Sequence, residues 1–187
     1  MYRINGTEVE VLRTTSAIII PDGTLMILEA KEKVFIQQVL GGMFTVQTSD
    51  GQLLRIDGKD ADALGQPIPS ERKLITLKDV EEKGLQEIVK EQLKTCYDPE
   101  IPVNILDLGL IYEYSVKPKD SLNKEFLVYI QMTLTAPGCG MGEVLKSDVE
   151  KKIKDIPTVA EVMVDVIFDP PWDSSLMSDA ARLILGL

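Results

Sequence analysis

The sequence predicts an α+β protein: a small N-terminal antiparallel β module followed by an α/β domain with a mixed three-stranded sheet packed by helices. Two observations predict this. Short β-type runs separated by turn formers fill the first 65 residues, and from Leu74 onward apolar residues recur at helical spacing between longer strands. The expected organisation is a β module at 1–65, a linker at 66–73 and an α/β domain at 74–187.

The N-terminal strands are predicted from runs rich in apolar and β-branched residues. Five runs qualify: 7–13, 24–29, 34–39, 44–47 and 53–56. An Asp-Gly pair at 50–51 separates the last two, and this is a hairpin signal because glycine tolerates the positive φ of a tight turn. A short helix is expected at 59–64, and the two prolines that follow it indicate a linker.

The second part predicts alternating helices and strands. Thr76 and Asp79 have the spacing of an N-terminal cap pair, and helical periodicity is clear from Leu85 to Cys96. One helix is expected here, with its first turns weakened by Gly84. Strands are expected at 110–116, 126–135 and 159–168, with helices from 139 or 140 to 153 and from 178 to 185. The strand at 126–135 alternates, so one face is expected to carry Phe126, Val128, Ile130, Met132 and Leu134 and the other Tyr129, Gln131, Thr133 and Thr135. A strand–helix–strand unit implies a right-handed crossover between parallel strands, and the preceding strand can join as a hairpin partner.

Composition narrows the function. Thirty acidic against 20 basic residues give a net charge of −10, which disfavours binding to nucleic acid. Histidine is absent, so a Ser-His-Asp triad, a Cys-His dyad and a histidine-ligated metal are excluded within the chain. No apolar run approaches the ~20 residues that span a bilayer, and the first residues lack a secretory pattern. A cytoplasmic protein that binds no membrane is expected.

Cys139 is the first candidate for chemistry. It follows a predicted strand and a Pro-Gly turn, at or just before a predicted helix. The first turn of a helix presents unpaired N–H groups and the positive end of its dipole, which favour the thiolate that attacks or binds metal. Gly138, Gly140 and Gly142 would leave the backbone open to a bulky ligand. The alternative is a small residue packed under a glycine-rich turn.

Other candidates have stronger structural explanations. Asp98, Glu100 and Asp107 could polarise a thiol, contact a metal or bind a partner, but aspartates in such loops commonly satisfy backbone N–H groups. Trp172, after two prolines, is expected to cover an edge of the core, with partner binding as the alternative. Cys96, at the end of an amphipathic helix, is expected in the core.

Three segments resemble the signature of PaaD-like domains. They are Asp-Pro-Glu-Ile-Pro-Val-Asn-Ile-Leu-Asp-Leu-Gly-Leu-Ile at 98–111, Thr-Ala-Pro-Gly-Cys at 135–139 and Asp-Pro-Pro-Trp at 169–172. Members of that family include an adaptor of the eukaryotic cytosolic iron–sulfur assembly machinery and a domain fused to Mrp-type cluster carriers. The β module, at 41–46 and 58–65, is similar to that of a bacterial member. The resemblance implies a role in iron–sulfur cluster maturation and strengthens the candidacy of Cys139, Thr135, Asp98 and Glu100.

Three hypotheses follow. In the first, an accessory factor carries iron or an iron–sulfur cluster transiently on Cys139, with Thr135, Gly138 and Gly140 around it. One thiol cannot hold a cluster alone, so the remaining ligands would come from a second subunit of a homodimer, a client apoprotein or a small thiol. In the second, a non-catalytic adaptor binds assembly proteins and clients without metal. In the third, an enzyme uses Cys139 as nucleophile; no general base is evident, so no enzymatic activity is expected.

Overall fold

The computed structural model describes residues 6–69, 75–98, 101–119, 124–136 and 141–187. Contacts between Cα atoms divide the chain into two units, Met1–Lys73 and Leu74–Leu187. Within the described residues, no helix has the length and apolar character needed to cross a bilayer. Each unit has its own cluster of buried side chains, and the two are described separately.

The first unit is a six-stranded antiparallel sheet. Its strands are β1 (Thr7–Glu10), β2 (Thr15–Ile20), β3 (Leu25–Leu28), β4 (Lys33–Leu40), β5 (Met43–Thr48) and β6 (Leu53–Asp57). The strand order is β1-β4-β5-β6-β2-β3, and a 3₁₀ helix at Gly58–Leu64 follows β6. The predicted hairpin at Asp50-Gly51 is confirmed, because β5 and β6 pair across it.

The strand count predicted for this unit is wrong, because β2 was missed. Its sequence, Thr-Ser-Ala-Ile-Ile-Ile, does not alternate between apolar and polar residues. Ala17 and Ile20 are buried while Ile18 and Ile19 are half-buried, so both faces of the strand carry apolar side chains. A continuous apolar run of this length has no period by which a strand can be recognised.

In the second unit, two helices replace the one expected. Helix α1 (Leu77–Lys83) begins with the predicted cap: the Asp79 N–H donates to Thr76 Oγ1 at 3.3 Å, and the Thr76 N–H donates to Asp79 Oδ2 at 2.8 Å. Gly84, with φ +83°, then breaks the helical path, and α2 (Leu85–Leu93) starts directly after it. The glycine therefore separates two helices where the periodicity suggested only a weak first turn.

The remaining elements form the predicted mixed sheet. Strands β7 (Ile111–Pro118) and β8 (Phe126–Met132) are antiparallel, and β8 runs parallel to β9 (Val159–Val166) through the crossover helix α3 (Met141–Lys154). Helix α4 (Asp179–Leu185) ends the chain, capped by Ser178 at its start and by Gly186, with φ +73°, at its end. The α+β fold class is confirmed.

One face of the three-stranded sheet is the core of the second unit. Val128, Ile130 and Met132 of β8 are fully buried, as predicted from their alternation. They belong to one cluster with α2 and α3. A buried ion pair supplements it: Lys152 Nζ lies 3.3 Å from Asp148 Oδ2 and donates to the Thr95 carbonyl at 2.7 Å. This contact joins α3 to the turn that follows α2.

Gly109 allows the backbone to pack closely against Leu176, and a substitution can test this contact. Its φ is +77°, and a Cβ added there would stand 2.3 Å from the Leu176 carbonyl oxygen. Gly109→Ala is therefore expected to lower the free energy of unfolding by about 3 kcal/mol or more, through backbone strain and overpacking together. Urea denaturation followed by circular dichroism measures it.

Gly84 is the matched control, because it has φ +83° and nothing within 4 Å of an added Cβ. Gly84→Ala should cost only the strain, about 1 kcal/mol. Equal losses for the two variants would contradict the close approach at Leu176.

Candidate functional site

The candidate site centres on the connection between β8 and α3. Thr135 lies in it and is half-buried, and Ala136 after it is exposed. Gly138, Cys139 and Gly140 lie outside the described residues, as does Glu100. Cys139 precedes Met141, the first residue of α3, by two positions in the sequence. Its place at the helix start therefore stays a prediction.

Helix α3 is long enough to have the expected polarity at its start. It spans 14 residues, with Glu143 in its first turn and three lysines in its last. This distribution complements the helix dipole, whose positive end is at the N-terminus. The connection from β8 therefore approaches the end of α3 at which an anionic group is stabilised.

Gly142 has a structural role rather than the open backbone proposed for it. It is buried, and a Cβ added there would stand 2.5 Å from Leu134 Cδ1. The space beside this glycine is filled by the Leu134 side chain, from the start of the same connection. Gly142 thus permits close packing of the first turn of α3, and the interpretation of an approach path for a ligand at this position is wrong.

The loop from Asp98 to Asp107 is held by contacts within the chain. The Asp98 carbonyl accepts from the Ile101 N–H at 3.1 Å. The Asp107 N–H donates to Asn104 Oδ1 at 2.9 Å, and Asn104 Nδ2 donates to Asp107 Oδ2 at 2.6 Å. The Asp107 carbonyl also accepts from the N–H of Ser178, the cap of α4. These are the contacts of a turn-stabilising residue, with Asn104 as the partner that the sequence did not indicate.

Trp172 is anchored to the same loop. Its indole Nε1 donates to the Leu108 carbonyl at 3.0 Å, and the half-buried ring packs against the core cluster of the second unit. Nearby, the Tyr112 hydroxyl donates to the Pro170 carbonyl at 2.9 Å. The segment after β9 is therefore fastened to the start of β7 and to the loop before it, as a structural role for Trp172 requires.

Thr133 is a residue that sequence reasoning overlooked. Alternation placed it on the outer face of the sheet, but the structure buries it completely, and its N–H donates to the Leu110 carbonyl at 2.8 Å. Its hydroxyl has no hydrogen-bond partner among the described residues. A buried unpaired hydroxyl is unfavourable and uncommon in native proteins. In the sequence, the only indication that Thr133 belongs near the candidate site is its position two residues before Thr135.

Cys96, the other cysteine of the chain, lies in the core. Cys96 is fully buried, as predicted, and its Sγ lies 3.6 Å from the Gln92 carbonyl oxygen, within the range of a thiol hydrogen bond. Among the described residues, no group of three or more cysteine, aspartate or glutamate side chains could hold a metal ion.

Sequence comparison assigns this arrangement to a class. Residues 86–166 match the family model described as "Iron-sulfur cluster assembly protein". The match begins in α2 and ends with β9, so it contains the loop at 98–107 and the β8–α3 connection. The chain belongs to this family, which confirms the resemblance inferred from the three sequence segments.

Individual relatives specify the class further. A Fe-S protein maturation auxiliary factor of Porphyromonas gingivalis is 41% identical over 101 residues, which are 54% of this chain and 90% of that protein. The Fe-S protein maturation auxiliary factor SufT of Staphylococcus aureus is 33% identical over 90 residues, 48% of this chain and 96% of that protein. A solved structure of DUF59, a domain of unknown function from Bacillus anthracis, is 34% identical, with 56% of this chain and 94% of that chain covered at a TM-score of 0.49. The two curated relatives are named as auxiliary factors rather than as enzymes.

The curated relatives match only about half of this chain. The SufT relative is matched over 96% of its length by 48% of this chain, so it is about half as long. The family match lies wholly within Leu74–Leu187. The six-stranded unit therefore lies outside the family match.

Trp172→Phe tests the structural role of the indole. The variant removes the donor to the Leu108 carbonyl and leaves a smaller ring in the edge of the core. The free energy of unfolding should fall by about 1–2 kcal/mol, since a buried carbonyl loses its partner. Chemical denaturation followed by far-UV circular dichroism measures the change, and unchanged stability would favour a partner-binding role instead.

Proposed function

We propose that the chain is an auxiliary factor of iron–sulfur protein maturation that receives iron or an iron–sulfur cluster as cargo on the Cys139 thiolate and helps to pass it to client apoproteins. The family supports the process: its model spans the candidate site, and the curated relatives are maturation auxiliary factors. The use of Cys139 is the step that goes beyond the family.

The burial of Cys96 is the observation that carries the choice of thiol. The chain has two cysteines, and Cys96 has no exposed surface. A buried cysteine in apolar surroundings is inert, because metal binding and exchange require an accessible thiolate. If a thiol of this protein holds cargo, it is therefore Cys139.

The neighbours of Cys139 in sequence have supporting roles in this proposal. The half-buried Thr135 is near enough in the chain to donate a hydrogen bond to the thiolate, and a hydrogen bond to the charged form favours it. Gly138 and Gly140 would allow the cargo close to the backbone. Asp98 and Glu100 would contact the partner that delivers or accepts the cargo.

A single thiol makes the binding transient. Iron–sulfur clusters are usually held by four protein ligands, and the described residues offer no further cysteine or carboxylate cluster. The missing ligands would come from the client, a second copy of the chain or a small thiol. Weak and incomplete ligation of this kind suits a protein that must release what it carries.

Cys139→Ser is expected to abolish cargo binding while leaving the fold intact. After anaerobic reconstitution with iron and sulfide, the wild type should show charge-transfer absorption and bound iron, and the variant neither. In cells that lack the endogenous protein, the variant should fail to restore the activity of a cluster-dependent enzyme. Thermal unfolding of the apoprotein should be unchanged.

Cys96→Ala is the matched control. Removal of this buried thiol should lower stability by about 1 kcal/mol through a small cavity, yet leave reconstitution and complementation at wild-type level. Full complementation by Cys139→Ser would refute the proposal in favour of a metal-free adaptor. In that case, Glu100→Lys should disrupt pull-down of assembly proteins.

A further inference from the structure

The sheet of the second unit has two edges that differ in their protection. Edge strand β7 carries a register irregularity between Ile111 and Glu113, an exposed Lys117 and a terminal Pro118. These features discourage the addition of another strand. Strand β9, Val159–Val166, contains no proline, glycine or basic residue, and beyond its first residues it pairs regularly with β8.

From Val162 onward, the backbone of β9 has an unpaired side among the described residues. The Ile167 N–H donates to the Met132 carbonyl, and backbone groups of alternate residues in a strand point the same way. The N–H and C=O groups of Val162, Val164 and Val166 therefore point away from β8. The sheet order β7-β8-β9 places no described strand on that side.

A groove runs beside this edge. It has a volume of about 560 Å³ and is lined by Ser147, Glu150, Lys151 and Lys154 of α3 and by Ala160–Val162 of β9. Lys154 Nζ donates to the Ala160 carbonyl at the end where β9 begins. An extended segment laid against β9 would place every second side chain in this groove.

The outer face beside the edge is acidic around an apolar centre. Glu161, Met163 and Asp165 of β9 point to this face, and Met163 is 46% exposed. Glu161 is paired with Lys119 at 2.9 Å, whereas Asp165 accepts a hydrogen bond from the neutral Tyr129 hydroxyl at 3.0 Å. Gln131 lies between Asp165 and Glu113 in one cross-strand row, so two exposed carboxylates share that row.

This charge pattern disfavours a second copy as the occupant. Antiparallel pairing of β9 with itself about Met163 would set Glu161 opposite Asp165 of the other copy. Like charges directly opposite each other are destabilising, whereas opposite charges stabilise a cross-strand pair. A partner strand with a basic residue facing Asp165 and an apolar residue facing Met163 would complement the charge and the apolar surface of this face.

We propose that the free edge of β9 binds an extended segment of a partner protein by strand addition, and that this segment carries lysine or arginine at the position facing Asp165, an apolar residue facing Met163 and small apolar residues facing the groove. Main-chain hydrogen bonds to β9 supply affinity and the alternate side chains supply specificity. The residues of this edge do not include Cys139, so docking does not require cargo on the thiol.

A designed peptide tests the proposal with the intact chain. The probe is a fluorescently labelled Thr-Lys-Val-Leu-Val-Lys-Thr peptide, whose symmetric pattern presents Lys, Leu and Lys on one face in either strand direction. Saturable binding to the wild type is expected by fluorescence anisotropy. The same peptide with glutamate in place of lysine should bind at least about tenfold more weakly, because it faces Asp165 with a like charge.

Two variants locate the binding at β9. Val162→Pro removes an outward-facing N–H and should weaken binding about tenfold, while Val162→Ala, which keeps it, should stay within about twofold. Asp165→Lys should weaken binding of the lysine peptide about fivefold and strengthen that of the glutamate peptide. Because Asp165→Lys leaves the backbone unchanged, the proposal stays testable if Val162→Pro does not fold.

Each contrary result would overturn the proposal. These are no saturable binding up to about 1 mM peptide, equal affinity for both peptides, or no effect of either Val162→Pro or Asp165→Lys. Self-association of the wild type that Val162→Pro abolishes would assign the edge to a second copy instead. Cys139→Ser should bind the peptide normally, so failure at the thiol and failure at the edge are distinguishable.

Discussion

The parallel pairing of β8 with β9 is the constraint on which the rest of the second unit depends. Two parallel neighbours cannot be joined by a tight turn, so the chain must cross over, and here it does so through α3. The crossover helix covers one face of the sheet. It also forces a loop between the end of β8 and the start of α3, and the candidate thiol belongs to that loop. Ligand sites in α/β structures commonly lie outside the carboxyl ends of strands for the same reason.

The sequence predicted this unit well because its signals were local. The alternation of β8 between buried Val128, Ile130 and Met132 and their more exposed neighbours is a period that can be read directly. The cap at Thr76 is a short-range pattern whose hydrogen bonds form within three residues. Each of these elements is determined by residues that lie close together in the chain.

The misses required long-range information. Strand β2 lacks a period because both of its faces carry apolar residues. Gly142 permits an approach by Leu134, and Thr133 is buried by neighbours that alternation along β8 cannot reveal. The reciprocal contact of Asn104 and Asp107 was equally hidden, since Asn and Asp are ordinary turn residues until their partners are known. The surroundings of Cys139 itself remain a prediction, supported by family and by the position of α3.

The buried Lys152 links α3 to the turn after α2, which are far apart in sequence. It pairs with Asp148 one helical turn earlier and donates to the Thr95 carbonyl, and the residues involved have little solvent exposure: 8% for Lys152 and 5% for Asp148. Burying two charges is costly, and a well-packed apolar pair is often at least as stable, so this pair is weak evidence for stability. Its geometry suggests that the ion pair positions the loop rather than adding stability. The Thr95 carbonyl ends the turn after α2, three residues before Asp98, so a single ammonium group sets where the 98–107 loop departs relative to the axis of α3. The position of the 98–107 loop and that of the β8–α3 connection therefore both depend on α3. A site built from both segments would require this.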